Sequence, residues 1–137
     1  MTTRVHDCVG GLLVHEGRIL LGRRREDCDW LSGAWDVFGG HVEAGESGEQ
    51  AIARELGEEL GVAPLGLSYL ETIEGAAPQP WRLRLYVVLG WEGTPALLAE
   101  HDELRWCGLE EAQAKLAGAH PDFPRLLELA VKAATGR

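Results

Sequence analysis

Residues 39–62, GGHVEAGESGEQAIARELGEELGV, decide the fold, because this stretch joins a glycine pair to a helix that carries a row of acids. Ser47 followed by Gln50 has the spacing of a capping box, and Gly61 stands where a helix-ending glycine is expected. We therefore predict a helix from Ser47 to Gly61, and Pro64 prevents its continuation.

The predicted helix has an apolar face beside an acidic face. At about 100° per residue, the apolar face comprises Ile52, Ala53, Leu56 and Leu60. The acidic face comprises Glu55, Glu58 and Glu59. We expect the first face to pack against the protein, with the acidic face beside it.

The acidic face needs nearby cations to offset the repulsion between its carboxylates. Carboxylates one turn apart repel by roughly 3 kcal/mol per pair at an effective dielectric constant of about 20. Arg54 can bond one or two of them, but more acids at the helix entry enlarge the cluster, namely Glu43, Glu46 and Glu49. Magnesium binds carboxylate oxygens together with water and phosphate oxygens, so the row suits a site completed by a polyphosphate. The alternative is a merely solvated acidic face.

The spacing of the whole stretch favours the metal site. Gly40, five residues, Glu46, seven residues and then RELGEELGV at 54–62 resembles the Nudix box at every defined position. The chain resembles the small, single-domain, MutT-like members of the Nudix hydrolase family. This resemblance implies an α/β fold, the Nudix α/β/α sandwich with a mixed β-sheet. It also implies hydrolysis of a nucleoside diphosphate linked to another group, with Mg²⁺ or, in its place, Mn²⁺.

The resemblance implies roles for the box residues. Glu58 and Glu59 are expected to be chiefly metal ligands, with Glu58 also counted as catalytic, while Glu55 is a ligand or the base that deprotonates water. Arg54 is expected to orient one of these acids.

Other candidate site residues lie before and after the helix. Gly39 and Gly40 lack Cβ atoms, so their backbone can approach a metal or a ligand closely; we place Gly39 at the metal and Gly40 at the substrate. Relatives often place one more acidic metal ligand, or the catalytic base, outside the box. Glu103 is our candidate for it in the run Glu100-His101-Asp102-Glu103, with His101 behind it and a solvated acidic turn as the alternative.

Substrate-binding candidates are basic or aromatic. Arg23, Arg24 and Arg25 end a predicted strand, where Arg23 and Arg25 are our choices to reach a phosphate. The alternative is a solvated cluster. Trp30 and Trp35 offer rings on which a nucleobase could stack, although a structural tryptophan is the commoner case.

Composition sets the broad class. The 137 residues fit one domain, residues 1–137. A formal net charge of −9 argues against binding nucleic-acid polymers or anionic membranes. Cys8, Cys28 and Cys107 form no CxxC pair, and no apolar leader or membrane-length apolar run is present. We expect a cytoplasmic protein whose partner is a small nucleotide derivative, either a monomer or a homodimer.

The remaining elements follow from periodicity. A β-hairpin is predicted from residues 9–15 and 18–24 around Glu16-Gly17, further strands at 65–73 and 82–90, and helices at 109–116 and 124–134. In residues 82–90 alternate leucines and Val87 make one wholly apolar face. The other face either lines a cleft or meets water.

Three functions other than nucleoside triphosphate hydrolysis stay open. One is an ADP-ribose or nucleotide-sugar pyrophosphatase. Another is a nucleotide-sensing domain without hydrolysis, although the box here is intact. A Nudix-fold isomerase of isopentenyl diphosphate needs extra segments that so short a chain does not offer.

Overall fold

The computed structural model describes residues 5–27 and 33–135. The nine strands of this part are β1 (His6–His15), β2 (Arg18–Arg24), β3 (Trp35–Asp36), β4 (Phe38–His41), β5 (Ala63–Pro64), β6 (Leu67–Gly75), β7 (Trp81–Val88), β8 (Trp91–Glu92) and β9 (His101–Cys107). The three helices are α1 (Gly48–Leu60), α2 (Leu109–Leu116) and α3 (Phe123–Thr135).

The strands form a seven-stranded mixed sheet. Its path is β3-β2-β1-β7-β6, with β4 also paired to β1 and β9 to β2. β1 and β7 are parallel, and the other pairs are antiparallel. β5 and β8 make a separate two-stranded ribbon. The predicted hairpin is confirmed: Glu16 and Gly17 take positive φ values of 52° and 75°, as a two-residue turn requires.

Helices cover both faces of the sheet, as expected for an α/β/α sandwich. On one face α3 packs on β7, and Leu85 and Val87 share an apolar cluster with side chains of α2 and α3. On the other, α1 packs on Tyr86 and Val88 of the same strand. The sequence-based expectation that the second face of this strand lines a cleft or meets water is therefore wrong for Tyr86 and Val88. β7 lies between β1 and β6, and both of its faces are covered near its end.

α1 begins and ends where the sequence predicts. The Ser47 hydroxyl accepts a hydrogen bond from the Gln50 backbone N–H at 3.1 Å, and the Gln50 side chain accepts one from the Ser47 N–H at 2.9 Å. Gly61 ends the helix at φ 72°, a left-handed conformation that favours glycine. Ile52, Leu56 and Leu60 are fully buried, each contributing about 1.5–3 kcal/mol. This packing fixes which way the acidic face points.

Candidate active site

The acids of α1 lie against the glycine pair of β4. The Gly39 N–H donates a hydrogen bond to Glu59 Oε2 at 2.8 Å. A Cβ added to Gly40 would lie 2.6 Å from the Glu55 carboxyl carbon, and one added to Gly39 would lie 1.9 Å from the Val9 carbonyl oxygen. The missing side chain at Gly40 therefore leaves room for Glu55 of the helix, and the missing side chain at Gly39 allows β4 to lie close to β1.

The three box carboxylates differ in exposure. Glu59 is buried, with only 8% of its surface exposed. The side chain of Glu55 is largely covered, and that of Glu58 is 60% exposed. The row thus runs from the protein interior to the solvent.

Burial perturbs two of these acids. It raises the pKa of Glu59 to about 8, with the charge of Glu55 adding to the effect and the Gly39 hydrogen bond opposing it. Burial also raises the pKa of Glu55, although Arg54 acts against it. Neither carboxylate has enough positive charge nearby to offset its desolvation.

Arg54 connects the acids to one another. Its guanidinium donates to both oxygens of Glu46, at 2.7 and 3.0 Å, and to Glu55 at 2.8 Å. It also donates to Glu58 at 3.3 Å and to the His41 carbonyl oxygen at 3.0 Å. The hydrogen bond from Arg54 lowers the pKa of Glu46 to about 2. The main partner of Arg54 is therefore Glu46, and the contact that holds Glu55 is one of several.

Each of the three neighbouring arginines pairs with an acid. Arg23 donates twice to Asp102, at 3.0 and 3.2 Å, which raises the Arg23 pKa. Arg24 lies 2.8 Å from Glu100, and Arg25 donates to Asp27 at 3.1 Å. Binding of phosphate by Arg23 or Arg25 stays a prediction, and it would require the exchange of these partners.

Trp35 lies beside this group on β3, opposite Arg23. Its ring packs against the apolar cluster under α2 and α3, and the Lys115 ammonium lies 4.3 Å from the ring centre. These contacts favour the structural interpretation, and stacking by a nucleobase on Trp35 stays a prediction. Trp30 and Cys28 lie outside the described residues.

The late acidic run acts on the helix through a different acid from the one expected. Glu103 lies opposite Arg23 in the β2–β9 pair, with its Oε1 4.0 Å from Arg23 Nε. Glu100 is the member of the run whose charge raises the pKa of Glu59. A register irregularity between Arg23 and Arg24 shifts the pairing at this point, so that Arg24 pairs with His101. The sequence located the run but carried no signal for this irregularity.

Asp36 is a further acid that the sequence reasoning missed. Burial raises its pKa to about 6, and its charge adds to the raised pKa of Glu59. The Val37 N–H donates to its carboxylate at 2.8 Å. Asp36 occupies the lead-in to the glycine pair, where no spacing rule marks it, so only its proximity to Glu59 reveals it.

The donor chemistry of the cluster fits a hard divalent cation. Within residues 5–27 and 33–135, no three Asp, Glu, His or Cys side chains are already gathered around one point as ligands. Glu59, which is buried, and Glu55, which is partly buried, are nevertheless carboxylate donors whose raised pKa values a bound cation would lower. Glu58, on the exposed side, has room to turn toward the same cation. In the same described ranges, no helix has the length and apolar character to span a membrane.

A mixed sheet between helices, with a glutamate-rich helix held on a glycine pair, defines the Nudix class of fold and site. A family model for the NUDIX domain matches residues 4–129. The CTP pyrophosphohydrolase of Escherichia coli (strain K12) is 38% identical over 122 residues, which cover 88% of this chain and 87% of the relative. The 8-oxo-dGTP diphosphatase of the same organism is 35% identical over 88 residues, 64% of this chain and 67% of that protein.

A solved structure agrees with these relatives. The solution structure of the E. coli ORF135 protein superposes with a TM-score of 0.76 at 33% identity, covering 97% of this chain and 94% of that one. The chain belongs to the Nudix family and is a Nudix hydrolase, an enzyme of phosphoric anhydride bonds.

Proposed function

We propose that this enzyme is a metal-dependent pyrophosphohydrolase of a nucleoside triphosphate, ordinary or oxidised, that cleaves the anhydride by water attack on phosphorus. The observation that carries the proposal is the pair Glu55 and Glu59, held against Gly39 and Gly40 with raised pKa values. The substrate class is supported by two relatives whose names specify CTP and 8-oxo-dGTP.

The residues that would hold the cation are those of the acidic row. Glu55, Glu58 and Glu59 would offer carboxylate oxygens, and Gly39, whose N–H bonds Glu59, is the backbone candidate. Mg²⁺, or Mn²⁺ in its place, neutralises phosphate oxygens and lowers the pKa of bound water when it is present. Gly40 leaves the space over the row open, because any side chain there would meet Glu55.

The other residues of the site would orient the acids or accept a proton from water. Arg54 holds Glu55 and Glu58 by hydrogen bonds and so keeps these two acids of the row together when no cation is bound. Glu55 is the first candidate for the base, since burial raises its pKa toward the range in which a carboxylate accepts a proton efficiently. Glu100 and Glu103 are the candidates outside the box, and Glu100 has the closer electrostatic link to Glu59.

The test is a product analysis. Purified enzyme is incubated with CTP, dCTP, 8-oxo-dGTP, ADP-ribose and a nucleotide sugar, in Mg²⁺, in Mn²⁺ and in EDTA. We expect a nucleoside monophosphate and pyrophosphate from a nucleoside triphosphate, only when metal is present. Hydrolysis in ¹⁸O-labelled water identifies the phosphorus attacked, because the label appears in only one of the two products.

Two outcomes would contradict the proposal. Metal-dependent binding of nucleotide without turnover would favour a sensing domain. Turnover of ADP-ribose or of a nucleotide sugar, with no turnover of any triphosphate, would mean that the enzyme is a hydrolase of a different substrate class. Glu59→Gln is the control for contaminating phosphatases, since it removes a buried carboxylate of the row while keeping its size.

A further inference from the structure

Two exposed histidines on neighbouring strands face each other, and the backbone carbonyl of His41 accepts a hydrogen bond from Arg54, which holds two acids of the carboxylate row. His6 lies near the start of β1, and His41 ends β4. His6 Nδ1 is 3.3 Å from His41 Nε2, with ring centres 5.5 Å apart. Because His41 lies opposite Cys8 in the antiparallel β1–β4 pair, His6, two residues before Cys8, is on the same face of the sheet as His41.

A third side chain, from Gln79, determines which ring nitrogen of neutral His6 carries the proton. Gln79 Oε1, from the loop before β7, lies 2.5 Å from His6 Nε2. An amide oxygen only accepts hydrogen bonds, so this contact places the proton of neutral His6 on Nε2. His6 Nδ1 then presents a lone pair toward His41 Nε2.

The nitrogen separation is that of two imidazoles on one metal ion. Zinc binds histidine nitrogen at about 2.0–2.1 Å, and tetrahedral angles then put two such nitrogens roughly 3.3 Å apart. The observed separation of 3.3 Å needs no rearrangement of the backbone. An oxygen acceptor on the other ring nitrogen, as Gln79 provides, is the usual partner of a metal-binding histidine.

We propose that His6 and His41 form a two-histidine site for a borderline divalent cation such as Zn²⁺ or Ni²⁺, which imidazole prefers over Mg²⁺. In the metal-free protein the His41 Nε2–H donates to His6 Nδ1. On binding, His41 carries its proton on Nδ1 instead, so both lone pairs face the cation and no proton is released. Since no third Asp, Glu, His or Cys side chain is gathered with the pair among the described residues, water completes the coordination. This site does not depend on the proposed function.

The test is zinc titration by calorimetry in excess Mg²⁺, which competes with Zn²⁺ for carboxylate oxygens and leaves imidazole free. We expect wild-type protein to bind one more equivalent of Zn²⁺ than His6→Ala or His41→Ala. His15→Ala is the matched control, because His15 is also exposed on β1 but lies at the other end of that strand. Gln79→Leu should keep the site and weaken it about ten-fold.

Melting curves and histidine NMR complete the test. His6 and His41 are exposed, so their alanine variants should melt like wild type, and Zn²⁺ should shift the ring signals of these two histidines in preference to those of His15. Zinc binding that is unchanged in both variants, or lost in only one of them, would overturn the proposal.

Discussion

Glu59 accepts a hydrogen bond from the backbone N–H of Gly39 at 2.8 Å, although the two residues are twenty positions apart in the chain. This contact puts a buried carboxylate at the point where β4 meets α1. The hydrogen bond lowers the pKa of Glu59, but burial outweighs it and raises that pKa to about 8. The carboxylate is therefore held in place without enough compensating charge, which a cation would supply.

Glu59→Gln should change how stability depends on pH. A carboxyl whose folded pKa lies above its ordinary value of 4.5 contributes stability that is complete at low pH and is lost as pH rises through about 8. Asp36, with a pKa of about 6, acts in the same direction over a narrower range. We expect the free energy of unfolding of metal-free wild type, and with it the melting temperature, to fall between about pH 4.5 and 8. The fall in free energy should be smaller in the variant, by an amount on the order of a few kcal/mol at most.

Thermal melts in EDTA across this range measure that effect. Glu128→Gln on α3 is the control, because it removes an exposed carboxylate. Parallel pH profiles for wild type and Glu59→Gln would contradict the raised pKa. Adding Mg²⁺ at pH 8 should raise the melting temperature of wild type more than that of Glu59→Gln.

Arg54→Ala should lower both stability and kcat. The guanidinium joins Glu46, Glu55 and Glu58, and its loss leaves these acids to repel one another. We expect destabilisation of about 1–3 kcal/mol, measured by urea unfolding. Arg125→Ala is the matched control, since Arg125 makes a comparable double contact with Glu71 on the surface, at 2.6 and 3.0 Å. If kcat of Arg54→Ala equalled that of Arg125→Ala, Arg54 would have a structural role only.

Single Glu→Gln changes at positions 55, 100 and 103 should locate the base. Loss of a base costs the usual 10² to 10⁴-fold in kcat and is not rescued by metal, whereas loss of a ligand is partly rescued by a higher metal concentration. We expect a larger loss for Glu55→Gln than for either outer acid, and a larger loss for Glu100→Gln than for Glu103→Gln. If Glu103→Gln alone lost several hundred-fold without rescue, the base would lie on β9 and not on the helix.

Gly40→Ala should weaken metal binding through a steric effect. Its Cβ would lie 2.6–2.8 Å from all three carboxyl atoms of Glu55, so that side chain must move. Gly57→Ala, on the helix that carries Glu55, is the control, because nothing lies within 4 Å of its added Cβ. We expect Gly57→Ala to keep full activity and gain about 0.5–1 kcal/mol of stability. Mn²⁺ titration compares the two variants, and equal affinities would contradict the close packing of Gly40 on Glu55.

The sequence by itself determined the local elements and the chemistry of the acidic row. The capping box at Ser47 and Gln50, the stop at Gly61 and the hairpin at Glu16-Gly17 are all confirmed. Each depends on residues only a few positions apart. Such residues are close in the folded protein because they are close in the chain. The Nudix fold followed from the same stretch, because its gapped pattern has many fixed positions.

Only the tertiary structure decided which acids are buried and which segments meet. Glu59 is buried and bonded to Gly39 of β4, whereas the side chain of Glu58 is 60% exposed. The charge of Glu100, far along the chain, adds to the raised pKa of Glu59. The approach of His6, His41 and Gln79 likewise joins positions 35 and 73 residues apart. Such distances depend on how the sheet and α1 pack as a whole, which the pattern of neighbouring residues does not encode.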